Sequence, residues 1–246
     1  MKILLSGCSG YMGKEVAKLC KNNFCGAEVA AGVDINSCPD AGFPCFTSFD
    51  CAPTDVDCIV DFSHHSVTKD LLNFAVKNKL PLVIATTGQT EEERFEIMKA
   101  SEYIPLFFAA NYSFGIALLI DLAKKTAAAM PDAEIEIIEK HHDRKVDAPS
   151  GTAIAIANAI TEVRPTATTV TGRSGMGKRT KEEIGIHAIR MGNIVGEHEV
   201  IIGTPNQTIT LKHEAHDRAL FAEGALTAAK FLYNKPAGFY NMNDLI

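Results

Sequence analysis

The eighteen residues from Glu136 to Ala153 (EIIEKHHDRKVDAPSGTA) carry the densest chemistry in the chain. His141, His142, Asp143, Arg144, Lys145 and Asp147 all fall within seven positions. Imidazole titrates near neutral pH, so His141 or His142 suits a general acid. Lys145 can neutralise a carboxylate, or donate a proton if burial lowers its pKa. Ser150, Gly151 and Thr152 follow Pro149 where a helix begins, and N–H groups with two hydroxyls there make a carboxylate seat. Asp147 is read as orienting one of the cations. Together these residues suit a place where a small anionic substrate is held and protonated. Taken singly, a His-His pair is more often surface decoration or a metal contact, and Pro-Ser-Gly-Thr is usually only a helix start. No His-x-x-x-His spacing supports a metal here, and no metal is expected.

A second constellation lies at the other end of the chain. Lys2–Ser6 is a short apolar run that ends at Gly7, Gly10 and Gly13, after which Met12, Val16, Leu19 and Cys20 recur at helical spacing. Strand, glycine turn and helix form the context of a dinucleotide fingerprint, here spaced G-x-x-G-x-x-G. Gly7 permits the tight turn, Gly10 the approach of a pyrophosphate to backbone N–H groups, and Gly13 close packing of the helix. The next strand, Val29–Val33, delivers Asp34, 21 residues after Gly13, where an acid would bind ribose hydroxyls. Ile35 and Asn36 follow it rather than an arginine. A carboxylate with no adjacent cation repels a 2′-phosphate, so NADH is expected in preference to NADPH.

These two constellations need elements to carry them. Strands at 58–62, 82–85 and 105–110 alternate with helical segments, one of them opened by the Thr90/Glu93 capping box. Such alternation implies a parallel, doubly wound α/β sheet of the Rossmann type, with ligands outside the carboxyl ends of its strands. Ser63-His64-His65, Thr86-Thr87-Gly88 and Asn111-Tyr112-Ser113 fall at those ends and are expected to line the nicotinamide side. From Phe114 the pattern changes. A helix to about Met130 is followed by a strand over 133–140, a helix over 152–163 and a glycine-rich basic loop over 171–181, read as mobile. Strands at 185–190, 194–202 and 207–213 then follow, and a final helix spans about 218–233. Residues 113–216 therefore read as a smaller α+β domain with a mixed sheet, carrying the candidate substrate residues. Residues 1–112 with 217–246 read as the dinucleotide-binding domain.

Composition narrows the function classes. The 246 residues are 46% hydrophobic and 22% charged, ordinary for a globular protein, with a net charge of −6. That charge argues against nucleic-acid or anionic-membrane partners. All seven cysteines precede residue 59, their number is odd, and no two are spaced C-x-x-C. They are read as reduced thiols of a cytoplasmic protein. Leu5-Ser6-Gly7-Cys8 looks like a lipoprotein cleavage box, but only Ile3, Leu4 and Leu5 precede it as an apolar run. A signal peptide needs roughly 7–15 such residues.

The stretch from Glu136 to Ala153 resembles the signature of the dihydrodipicolinate reductase family: Glu-Ile-x-Glu, a His, three residues, then Lys-x-Asp-x-Pro-Ser-Gly-Thr-Ala. The resemblance extends over nearly the whole chain. The glycine turn, Ala85-Thr86-Thr87-Gly88 (Gly-Thr-Thr-Gly in the family), Ala109-Ala110-Asn111-Tyr112-Ser113 (Ala-Ala-Asn-Phe-Ser) and Arg190–His198 all carry it. It implies NAD(P)H-dependent reduction of 4-hydroxy-tetrahydrodipicolinate to tetrahydrodipicolinate, on the way to diaminopimelate and lysine. Carried over, His141 is the general acid/base and Lys145 a proton donor, while His142, Gly151 and Thr152 bind substrate carboxylates. Gly7, Cys8, Ser9, Gly10, Tyr11, Met12, Asp34, Ala85, Thr86, Thr87, Ala109, Ala110, Asn111 and Tyr112 would hold the dinucleotide. The resemblance further implies a homotetramer built through the mixed sheets and a last helix that returns to the first domain. Ile35 stands where members that use NADPH well have arginine.

Two rivals remain. An amino acid dehydrogenase of the diaminopimelate or aspartate type would need a seat for an ammonium group, where this chain clusters cations. A dinucleotide-sensing regulator would need a basic helix-turn-helix, and no segment offers one.

Overall fold

A computed structural model gives the fold and describes residues 1–36, 38 and 40–246. In chain order the elements are β1 (Lys2–Ser6), α1 (Tyr11–Lys21), β2 (Glu28–Val33), β3 (Cys45–Phe46), β4 (Cys58–Asp61), α2 (Thr68–Asn78), β5 (Leu82–Ile84), α3 (Glu91–Ala100) and β6 (Pro105–Phe108). There follow α4 (Phe114–Ala129), β7 (Glu134–His141), α5 (Gly151–Val163), β8 (Thr168–Thr171), β9 (Glu183–Arg190), β10 (Gly196–Thr204), β11 (Gln207–Ala215), α6 (Ala219–Leu232) and β12 (Gly238–Tyr240). The chain divides into two compact units, Met1–Ser113 with Ala219–Ile246, and Phe114–Arg218.

The first unit is a seven-stranded parallel sheet in the order β12-β6-β5-β4-β1-β2-β3. Its central strands do not alternate: Ile3, Leu4, Leu5, Ile59, Val60, Leu82, Val83 and Ile84 are all fully buried. A strand that is apolar on both faces needs helices on both. Leu71, Ala75, Ile97 and Ala100 of α2 and α3 cover one face, together with Leu4, Ile59 and Leu82. On the other, α6 packs on α1 and on β4, β5 and β6. The Thr90/Glu93 capping box forms as expected at the start of α3. Because all seven strands are parallel, the segments after β1, β2, β4, β5 and β6 leave the sheet along one edge. Gly7, Asp34, Ser63, Thr86 and Asn111 all belong to those segments.

The second unit is a five-stranded mixed sheet in the order β11-β10-β7-β9-β8. The β10 strand is antiparallel to both its neighbours, while β7, β9 and β8 run parallel. Helices α4 and α5 cover one face through Ile116, Leu119, Ala123, Ile156 and Ile160, against Ile135, Ile137, Ile186 and Val200. Along β7 burial alternates strictly, so Ile135, Ile137, Glu139 and His141 share the covered face. That parity places a carboxylate and an imidazole where the strand otherwise buries isoleucine.

Three strands escaped the sequence patterns: β3, β8 and β12 have two, four and three residues, too few to show a period. The expected strand from Ile194 begins instead at Gly196, because the Ile194 carbonyl accepts the His142 N–H at 2.8 Å and so belongs to a loop. Within the basic loop, Arg179 is anchored, donating to the Glu183 carbonyl at 2.7 Å and pairing with Glu134 and Glu136 at 3.3 and 3.4 Å.

Candidate active site

Glu139 is the hinge of the second unit's cluster. Its side chain is fully buried, and each oxygen receives two donors. Oε2 lies 2.6 Å from His141 Nδ1 and 2.8 Å from Arg190 Nη1. Oε1 lies 2.7 Å from Arg190 Nη2 and 3.0 Å from the Ser150 N–H. Burial opposes its charge, but the bonds from His141, Arg190 and Ser150 outweigh that and hold its pKa at about 2. A permanent carboxylate at Nδ1 fixes the tautomer and ring orientation of His141. The other nitrogen, Nε2, lies beside Gly196, where a Cβ would come within 3.1 Å. His198 stacks edge-on to His141, with ring centroids 5.2 Å apart. Burial and the charge of His141 push the His198 pKa down to about 4, so its ring stays neutral.

The remaining sequence candidates divide by what already engages them. Ser150 is buried and spent within the fold: its Oγ caps α5 by accepting the Ala153 N–H and lies 3.2 Å from His198 Nε2. Lys145 Nζ lies 2.8 Å from Asp147 Oδ1. Lys145 chiefly, then backbone N–H groups including that of Gly151, holds the Asp147 carboxyl below its usual range. An internal carboxylate thus meets the cation and helix start that the sequence reading reserved for an external one. Thr152 is half-buried in the first turn of α5. Among the described residues, the buried Nδ1 of His142 has no hydrogen-bond partner. Partial desolvation, then the charges of Arg144, Arg218 and His141, lowers the pKa of His142. An anion arriving there would relieve that crowding of positive charge.

In the first unit, Gly7 turns with φ +79°, and a Cβ on it would lie 2.4 Å from the Phe62 carbonyl. A Cβ on Gly13 would lie 2.2 Å from the Gly7 carbonyl, so α1 seats on the turn only without one. Asp34 accepts the Ser9 N–H at 2.9 Å and the Asn36 N–H at 3.0 Å. Burial opposes its charge, yet those bonds draw its pKa below the ordinary carboxylate value. Gly7, Ser9, Gly10, Asp34, Ser63 and His64 line one cavity of about 980 Å³. Its volume, its glycine floor and its ionised acid fit a dinucleotide's adenosine and pyrophosphate. Cys8 is buried, Met12 half-buried and Tyr11 exposed. After β5, Ala85 and Thr86 are buried and Thr87 is exposed; after β6, Ala109 and Asn111 are half-buried and Ala110 exposed. Tyr112 points into the core, donating its hydroxyl toward the Ile84 and Phe107 carbonyls at 2.8 and 3.2 Å. Only its backbone is left to meet a ligand.

Comparison with known proteins matches residues 1–112 to the N-terminal and 115–246 to the C-terminal model of dihydrodipicolinate reductase. The chain belongs to the dihydrodipicolinate reductase family. A relative from Caldanaerobacter subterraneus subsp. tengcongensis, 4-hydroxy-tetrahydrodipicolinate reductase, is 47% identical over 100% of this chain and 98% of its own. A dipicolinate-bound dihydrodipicolinate reductase structure from Paenisporosarcina sp. TG-14 aligns with a TM-score of 0.85 at 25% identity, over 100% and 99% of the two chains. Aspartate dehydrogenase from Thermotoga maritima, a relative of the rival reading, aligns at 0.53 with 17% identity, over 96% and 98%, and shares the fold alone.

Three members of this dihydrodipicolinate reductase cluster were not singled out from the sequence: Glu139, Arg190 and His198. For Glu139 the signal was present. Alternation from Ile135 carries it onto the buried face, and a carboxylate there requires a cation. The cation lies 51 residues away on β9, which is hydrogen-bonded to β7 in parallel register with Arg190 opposite His141.

Proposed function

We propose that this chain reduces 4-hydroxy-tetrahydrodipicolinate to tetrahydrodipicolinate, with NADH preferred over NADPH. The observation that carries the reading is the Glu139–His141 pair, clamped by Arg190, on the strand that leads to Lys145. The names of the relatives supply the substrate, and the chemistry of the cluster suits it. The nicotinamide, when bound, supplies the hydride. Gly7 to Met12 and Asp34 hold the dinucleotide, and the segments Ala85–Thr87 and Ala109–Tyr112 complete its seat. Loss of water from the substrate leaves a conjugated imine, and hydride addition at C4 leaves an enamine that must gain a proton. His141 delivers it from Nε2, since Glu139 occupies Nδ1. Lys145 is the second proton donor and offsets one carboxylate of the substrate. His142, Gly151 and Thr152 take the carboxylates, with Ser150 shaping the helix start.

The test is a coupled assay in which the hydroxylated substrate is generated enzymatically and NADH oxidation is followed at the nicotinamide absorbance. Turnover is expected, with kcat/KM higher for NADH than for NADPH. Oxidation no faster than background would remove the assignment.

The assembly is read as a homotetramer in the cytoplasm. The sheet face opposite α4 and α5 supports the assembly: Ile138, Ile189 and Ile201 lie on it, and among the described residues no helix of their own unit covers them. Light scattering is expected to give four chains per particle, and a monomer would exclude it.

A further inference from the structure

Away from the proton-handling cluster, three thiols converge. Cys8 lies in the glycine turn after β1, Cys45 opens β3, and Cys38 lies on the segment between β2 and β3. Their Sγ atoms are all within 4.8 Å of one another. Cys8 Sγ and Cys38 Sγ are 3.6 Å apart. Thiolates bound tetrahedrally to Zn²⁺ at about 2.3 Å stand roughly 3.8 Å from one another. The three thiols already lie near that spacing.

The sheet is built to let them meet. Strand β2 runs between β1 and β3, so Cys8 reaches Cys45 only across it. At the crossing stands Gly32, register partner of Leu5 on one side and Cys45 on the other. A Cβ on Gly32 would lie 2.5 Å from Cys8 Sγ and 2.8 Å from Phe43 Cε2. Gly32 has an ordinary strand conformation, so what demands glycine is the space the sulfur occupies. Among the described residues no other group of three metal-ligating side chains converges in this way.

We propose that Cys8, Cys38 and Cys45 bind one Zn²⁺ as thiolates, with solvent in the fourth position. The ion would tie the segment after Asp34 to the glycine turn. Asp34 lies between the two tied points and already accepts the N–H of Ser9, the residue after Cys8.

The test uses the full chain, reduced with a phosphine and stripped of metal by EDTA. Zn²⁺ is titrated in competition with a chromophoric chelator, and Cd²⁺ in a parallel cell. One Zn²⁺ per chain is expected, with affinity falling tenfold or more in Cys38→Ser and in Cys45→Ser and unchanged in Cys51→Ser, whose thiol is exposed and outside the group. Cd²⁺ is expected to raise an ultraviolet thiolate charge-transfer band of three-thiolate intensity. Thermal melts of the metal-free variants check folding, and if one fails to fold, the band of the parent chain decides. Equal Zn²⁺ affinity in parent, Cys38→Ser and Cys45→Ser would overturn the site. So would a parent chain that takes up no metal and instead forms a Cys8–Cys38 disulfide under hydrogen peroxide.

Discussion

Glu139 Oε2 lies 2.6 Å from His141 Nδ1, two residues along one covered face of β7. Both terminal nitrogens of Arg190 clamp the same carboxylate, one on each oxygen. The pair leaves His141 one ring nitrogen, Nε2, for the proton transfer proposed above. Glu139→Gln removes the fixed charge and the acceptor together, and kcat is expected to fall by about 10²–10⁴-fold, the range for a lost general acid. It also removes the carboxylate partner of Arg190, which keeps only the Ile189 and Asp147 carbonyls, so some stability is expected to be lost with it. Steady-state kinetics beside a urea melt separate the two effects. A stable variant with native kcat would show that His141 needs no partner.

His141→Gln is expected to lower kcat by about 10²–10⁴-fold with substrate KM moved much less. Lys145→Ala should worsen both, because Lys145 holds charge as well as a proton. Near-native turnover in His141→Gln would transfer the acid role to Lys145 or His142.

Asp147 engages Lys145 at 2.8 Å, so under the proposed mechanism a substrate carboxylate would compete with it. Asp147→Asn removes the competing charge. Dissociation constants for dipicolinate, measured by calorimetry, are expected to fall by roughly 3–10-fold, about 0.7–1.4 kcal/mol. Weaker binding in the variant would mean that Asp147 positions Lys145 for the ligand rather than competing with it.

Ile35 is exposed and follows Asp34. Ile35→Arg places a guanidinium where a 2′-phosphate would sit, and kcat/KM with NADPH is expected to rise roughly tenfold, about 1.4 kcal/mol. The NADH value should change less. No gain with NADPH would remove Asp34 and its neighbour from cofactor choice.

Acid stability follows from two shifted groups. The Glu139 pKa drops from an ordinary 4.5 to about 2, so its contribution is present above pH ~4.5 and lost as pH falls toward 2. His198 drops from 6.5 to about 4, so its contribution is present above pH ~6.5 and lost as pH falls toward 4. Each shift amounts to ~3 kcal/mol by linkage. Urea midpoints are expected to decline in two stages between pH 6.5 and 2, the upper stage vanishing in His198→Asn. A flat profile over the upper stage would show that His198 titrates normally.

Sequence alone determined much of this protein. The glycine turn, Asp34 and the capping box at Thr90 are local features, so their spacing specifies a backbone conformation that forms without distant help. The alternation in β7 and the Glu136–Ala153 signature likewise announce themselves, and through them the family. What sequence could not decide is which groups consume one another. Arg190 reaches Glu139 across 51 positions because β9 lies in parallel register with β7. Ser150 is spent on Glu139, His198 and its own helix, and Asp147 stands on the cation expected to await a substrate. Cys8 meets Cys38 and Cys45 from 30 and 37 positions away, over a glycine in the intervening strand, so no linear spacing could display the cluster. Strand pairing sets these meetings, and register is a property of the folded sheets, not of any one segment.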